Sequence, residues 1–221
     1  MPIEDYAERQ EAKRDRLEER ADKAATRADQ AGKDLQDAHR EALTRMVGPS
    51  DLPTLLGVSP YRGATLLALY NRVGGNAPPR TQTVRMARGH ALQPIIVQEW
   101  ERQTGRRARS LPPEGEFFIH PDAALRMRCT PDALTLDGLG EPVEAKAWGD
   151  HVSLVADDSP AGRPMLGVQV QVLAQVQVLR ARGMSTSPLG NYAVLRDSDD
   201  AATVGQVDAD SEDCRAMWAA I

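Results

Sequence analysis

A chain of 221 residues holds one full domain with a sizeable core, plus an appendage too small to fold alone. Its 41% hydrophobic and 4% aromatic residues describe a globular interior filled by Val, Leu and Ala, and its two cysteines, Cys129 and Cys214, lie far apart with no Cys-x-x-Cys, so neither a zinc site nor a disulfide framework is expected. A formal net charge of -5 argues against phosphate binding over the whole surface and leaves room only for a local basic groove.

Residues 1–46 are rich in Ala, Glu, Arg, Lys, Asp and Gln, and Leu17, Ala21, Ala24, Ala28, Ala31, Leu35, Ala38 and Ala42 recur in alternating steps of four and three. That is the spacing of a coiled-coil seam, but an alanine seam buries little per turn, so the segment is expected as a charged helical arm or a weak coiled coil. The start, MPIEDYAERQ, lacks the apolar core of a signal peptide, and no apolar run approaches the roughly 18 residues of a membrane span, which predicts a cytoplasmic protein without a membrane segment.

The composition changes at Gly48, where a compact domain over 47–221 is expected to begin. GPSDLPTLLGVSPYRGATLLALYNRVGG reads as a capped helix from Ser50 or Asp51, a turn at Gly57 to Pro60, and a second helix ending at Gly74 and Gly75. A third helix is predicted from about Thr83 to Thr104, interrupted by Pro94 and closed by Gly105, with Ile95, Ile96, Val97 and Trp100 on its apolar side. The run RRAR at 106–109 is expected in a loop. From Phe117 the pattern turns to strands: FFI, then ALRMRC with Leu125, Met127 and Cys129 alternating, then ALTLD and PVEAKAW, together read as one antiparallel meander. After a flexible DDSPAGRP stretch, LGVQVQVLAQVQVLRAR alternates like a strand, but its unbroken length and central Ala and Leu favour a helix; NYAVLRD and ATVGQVDAD follow as strands.

The chemistry lies in CTPDALTLDGLGEPVEAKAW. With Gly138-Leu139-Gly140 as a three-residue hairpin loop and Gly140 left-handed, Asp137 pairs with Glu141 and Asp132 falls opposite Lys146. Glu144 and Lys146 are two apart on a strand and share that face, so two carboxylates and an ammonium converge. A divalent ion offsets the repulsion between the acids, oxygen-only ligation suits Mg²⁺ or Mn²⁺, and a lysine beside it can orient a water and stabilise charge on a phosphate.

These residues resemble the PD-(D/E)XK nucleases, and within them the YqaJ-like viral recombinases to which lambda exonuclease belongs. Pro131-Asp132 stands for the family's PD and Glu144-Ala145-Lys146 for its ExK, which implies a further metal ligand in the Ala145 carbonyl. The similarity runs in order from Gly48 to about Gly183: SDLPTLLGVSPYRG, MARGHALQPIIVQEWERQTG, HPDAALRMRCTPDAL and VQVLAQVQVL each look like a family segment. Where the family has a metal-binding glutamate this chain has Gln93, whose carbonyl oxygen can still ligate; His90, one turn earlier, is a metal ligand by analogy with RecB-type nucleases, or else an ordinary surface or core histidine. The glutamine helix offers Gln175 as the catalytic position and Gln171 one turn before it, either of which can orient Lys146 or a phosphate. Arg62, Arg85 and Arg88 are the candidate DNA phosphate contacts.

The resemblance implies an α/β fold, a restriction-endonuclease-like core with a mixed central sheet flanked by helices, preceded here by the long charged helix. It implies a phage-type or mobile-element exonuclease working in a bacterial host cytoplasm, trimming duplex DNA ends for recombination with a single-strand annealing partner, and assembly into a ring. The chain stops at CRAMWAAI, where the family continues as a helix, so a short or truncated member is expected. Two rival readings stand beside this: a nuclease-fold DNA-binding or protein-interaction module silenced through Gln93, and a restriction-type endonuclease.

Overall fold

The computed structural model describes residues 16, 20–27, 29–35, 37, 46–58, 62–74, 83–111, 117–149 and 164–221. The chain divides into two units, Met1–Glu41 and Ala42–Ile221. Residues 20–27 and 29–35 of the first are helical and exposed, Ala21, Ala24, Ala31 and Leu35 among them; Leu17, Ala28, Ala38 and Ala42 of the expected seam lie outside the described residues. Among the described residues no helix is long and apolar enough to cross a membrane.

The second unit opens with a short 3₁₀ turn, Pro49–Asp51, that runs into α1 (Leu52–Leu55); the Asp51 carboxylate accepts from the Gly48 N–H at 2.7 Å and closes that start. Helix α2 (Arg62–Val73) follows, the Ser59–Pro60 turn and Gly75 lying outside the described residues. Helix α3 (Val84–Thr104) starts at Thr83, whose hydroxyl accepts from the Met86 N–H. It runs without a break through Pro94, contrary to the expected interruption. Proline forfeits a single N–H there, leaving the His90 carbonyl without its helical donor, and the packing of Ile96, Val97 and Trp100 just after it holds the helix against the sheet.

Among the described residues the strands form two sheets, where the sequence suggests one meander. Strands β2 (Phe118–Ile119) and β3 (Arg128–Cys129) make a separate antiparallel pair, and the predicted ALRMRC strand is broken by a 3₁₀ turn at Ala123–Leu125. The central sheet has β1 (Ala108–Ser110), β4 (Ala133–Thr135), β5 (Pro142–Trp148), β6 (Leu189–Arg196) and β7 (Thr203–Asp208) in the order β1-β4-β5-β6-β7. All its neighbours are antiparallel except β5 and β6, which are parallel and joined through α4 (Pro164–Ala181), the crossover a parallel pair requires. The RRAR run is therefore not a loop: its end enters β1 beside β4, while Arg106 turns inward, 5.6 Å over the Trp100 ring and paired with Asp137 and Glu141.

Each face of the sheet is covered by one helix. Ile96, Val97 and Trp100 of α3 pack on Ala133, Val143 and Ala193. On the other face, Val168, Val172 and Val176 of α4 pack on Tyr192, Val194 and Val207. The opposite side of α4, through Val170, Ala174 and Val178, meets Leu52, Phe118, Met127 and Cys129. A helix enclosed on both sides carries apolar residues on both flanks, and this is why its valines alternate as though in a strand. Helix α5 (Glu212–Ala219) adds Cys214, Met217 and Trp218 to the edge of that packing.

Gly190 lets α4 settle on β6: a Cβ there would stand 2.5 Å from a Val172 methyl and 2.6 Å from a Val176 methyl. Overpacking of that kind costs about 1–3 kcal/mol. Gly190→Ala should lower the unfolding free energy by that amount in a urea titration, while a matched Gly89→Ala, where no atom lies within 4 Å, should not.

Candidate active site

The turn between β4 and β5 differs from the expected three-residue loop. Ala133 pairs with Val143 and Leu134 with Pro142, and the Thr135 N–H donates to the Glu141 carbonyl at 3.0 Å, so the loop is 136–140 and Asp132 falls level with Glu144 rather than Lys146. The cause is Asp137, which does not pair across the ladder. Its carboxylate accepts from the Thr135 hydroxyl at 2.8 Å and from the Leu139 N–H at 3.2 Å, and binds Arg106. Gly140 is left-handed, φ 64°, with its α-carbon against the Met184 carbonyl, where a side chain has no room. The register has slipped by two residues, an even number, so the face carrying Asp132, Glu144 and Lys146 is preserved.

That face lines a cavity of about 250 Å³. Arg128, Thr130 and Asp132, at every second position, form one wall, while Met127 and Cys129, at alternate positions, enter the core. Glu144 and Lys146 form the next wall, with Ala145 packed on the opposite side of the sheet. Helix α3 contributes His90 and Gln93, α4 contributes Gln171 and Gln175, and Gly48, Pro49 and Ser50 complete the rim. The two helices reach the same cavity because β4 is only three residues long. Beyond Ala133 the Pro131-Asp132 segment leaves the ladder and β5 runs on beside a gap.

The bonds inside are few and direct. One Asp132 oxygen accepts from the Ala145 N–H at 2.8 Å. One Glu144 oxygen meets the Lys146 ammonium and the other accepts from the Gln175 amide at 2.6 Å. Gln93 presents its amide nitrogen, not its oxygen, to the Asp132 backbone carbonyl at 3.3 Å. Gln175 is 2% exposed, and its amide oxygen has no hydrogen-bond partner among the described residues.

Burial and the neighbouring Glu144 charge push the Asp132 carboxyl up to about 7, against the opposing pull of Lys146 and the Ala145 N–H. Burial draws the Lys146 ammonium down, but Glu144 and Asp132 outweigh it and leave Lys146 above its ordinary value and charged. Behind them, burial raises the Cys129 thiol well above its usual range; Arg128 opposes that shift and Glu144 adds to it.

The donor set fits a hard divalent cation. It has two carboxylates and, since the N–H and C=O of one strand residue point to the same side, the Ala145 carbonyl faces the same gap as its N–H. Among the described residues no group of three or more His, Cys, Asp or Glu gathers, and His90 lines the same cavity as the two acids.

Of the expected DNA contacts, Gln171 lines the cavity, but Arg85 and Arg88 do not: both are exposed on α3, and Arg88 pairs with Asp197. The Arg62 side chain lies outside the described residues. The sequence reading missed Arg128, although counting back by twos from Asp132 reaches it.

A family model described as a YqaJ-like viral recombinase domain matches residues 36–185. The chain belongs to that family. Among solved structures, this YqaJ-like chain is similar to an alkaline exonuclease, LHK-Exo from Laribacter hongkongensis, at 14% identity and a TM-score of 0.55, over 83% of this chain and 87% of that one. LHK-Exo in complex with dAMP gives a TM-score of 0.56 at 14% identity, over 83% and 86% of the two chains. The shared fold is the mixed sheet flanked by helices described above. No curated protein matches the chain.

The Asp132 shift has a consequence for the ion-free protein. Unfolded, the carboxyl titrates near 3.8; folded, near 7, so between those values the native state holds the extra proton and stability falls as pH rises. In chelator, the loss of unfolding free energy from pH 5 to pH 7 should be larger for the wild type than for Asp132→Asn, which removes the titration.

Proposed function

We propose that this chain is a divalent-metal-dependent DNA exonuclease that acts on duplex ends, in phage-type recombination with a single-strand annealing protein. The observation that carries the reading is the convergence of Asp132, Glu144 and Lys146 on one cavity at the mouth of a short strand. Family membership and the likeness to alkaline exonuclease folds support it.

Asp132, Glu144 and the Ala145 carbonyl would hold Mg²⁺ or Mn²⁺, which when bound supplies Lewis-acid polarisation of a phosphodiester and makes water more acidic. The chain's own groups do the rest. Lys146, kept charged by the acids, presents an ammonium to negative charge growing on a phosphate oxygen. Gln175 fixes one Glu144 oxygen and leaves the other to Lys146, so the carboxylate cannot rotate away. The Ala145 N–H does the same for Asp132. Gln171, one turn before Gln175, faces the cavity where a nucleotide would enter.

In this proposal residues 1–46 are a charged helical arm and residues 47–221 the nuclease domain, the arm being available for ring assembly or for the annealing partner. Gln93 supports a second reading. It is neutral and offers its amide nitrogen to the Asp132 backbone, so the site carries one acid fewer than a Glu there would supply, and a silenced module that binds duplex DNA would look the same.

The two separate on linear and closed circular duplex DNA incubated with Mg²⁺, with Mn²⁺ and with chelator. The exonuclease degrades the linear form alone; chelator abolishes this, Lys146→Ala slows it by about a hundredfold or more, and Gln93→Glu accelerates it. A silenced module binds duplex without cutting it under any metal and gains cleavage only as Gln93→Glu. Cleavage of the circular form would favour a restriction-type endonuclease.

A further inference from the structure

Among the described residues lining the cavity, Arg128 is a charged side chain to which the exonuclease chemistry above assigns no task. It is 7% exposed, on β3, four residues before Asp132 on the same alternating face. The guanidinium donates to the Thr130 hydroxyl at 3.3 Å. On its other side the chain at Val47 is strapped to β3: the Val47 N–H donates to the Arg126 carbonyl at 2.8 Å and the Arg128 N–H to the Val47 carbonyl at 3.0 Å. This brings Gly48 over the guanidinium, where even a Cβ would remain 3.7 Å from its terminal nitrogen. A long cation is thus held inside the protein, beside the same opening as Lys146, in a chain whose net charge is -5.

Charge balance gives the arrangement meaning. Among the described lining residues Arg128 and Lys146 match Asp132 and Glu144 in formal charge, and a divalent ion on the acids would add positive charge. Such a cavity attracts an anion, and a planar guanidinium offers two parallel donors to phosphate oxygens, which an ammonium cannot do.

We propose that Arg128 is a phosphate-binding residue of this site, holding a phosphate group of DNA across the cavity from Lys146; the assignment rests on the nuclease reading above. The phosphate is either that of the scissile bond or the one that ends the strand.

The test uses the full chain with Arg128→Gln and Arg128→Lys, the second keeping stem and charge should the first fail to fold. Mn²⁺ affinity by calorimetry without DNA, and thermal unfolding, should match the wild type. Binding of a short duplex in Ca²⁺, and KM for its cleavage in Mg²⁺, should weaken roughly ten- to a hundredfold in both variants. In Arg128→Gln the salt dependence of binding should also flatten by about one counterion. With the phosphate placed on the 5′ or on the 3′ terminus in separate duplexes, loss on phosphorylated ends alone assigns Arg128 to the terminal phosphate, and equal loss on hydroxyl ends assigns it to the scissile one; both uphold the proposal. Folded variants that bind and cut like the wild type overturn it, as do variants that lose Mn²⁺ affinity along with activity, since that marks a structural role. A wild-type chain that neither binds nor cuts DNA overturns the nuclease reading and this assignment together.

Discussion

Two carboxylates set side by side beneath a protein surface repel each other, and the surroundings of β4 and β5 keep them there nonetheless. The strain shows on Asp132, which holds its proton to about pH 7. It is contained by short-range bonds: a backbone N–H on Asp132, an ammonium and an amide on Glu144. None of these partners is borrowed from solvent. Each belongs to the sheet itself or to the helix packed across it, so the carboxylates stay ordered only while the sheet and α4 stay together.

Helix α4 therefore has two tasks that its composition reconciles. Its valines fill the space between the central sheet and the β2-β3 pair, contributing dry packing on both flanks. Its glutamines interrupt that apolar surface at 171 and 175, one turn apart, where the sheet opens into the cavity. An amide suits the place. It can donate to a carboxylate without adding charge to a pocket already holding two acids and two cations. The parallel pairing of β5 with β6 fixes the depth of α4, and Gly190 removes the one side chain that would hold it off.

Much of this was legible in the amino-acid sequence, for physical reasons. Alternation placed Glu144 and Lys146 on one face, and an even register slip cannot undo that. The glutamine helix was legible from its length. What escaped was decided by interactions remote in sequence. The loop width depends on Asp137 binding Arg106 and Thr135 instead of a ladder partner. The RRAR run looked like a basic loop because nothing local reveals that Glu141, 1% exposed among Ser187, Asn191 and Arg106, would draw an arginine inward. The meander failed for a similar reason: Thr130 and Pro131 break the chain between β3 and β4, and β1, too short to announce itself, takes the place beside β4.

Cys129 stands with its back to all of this. It is fully buried, its thiol resists ionisation, and it is flanked on the chain by Arg128 in the cavity wall. Alkylating reagents attack the thiolate, so the native protein should hide this sulfur, while Cys214, partly exposed on α5, takes up label first. The second modification then becomes a clock for the opening of β3 away from α4, timing how often the wall of the site comes loose without any probe having been engineered into it.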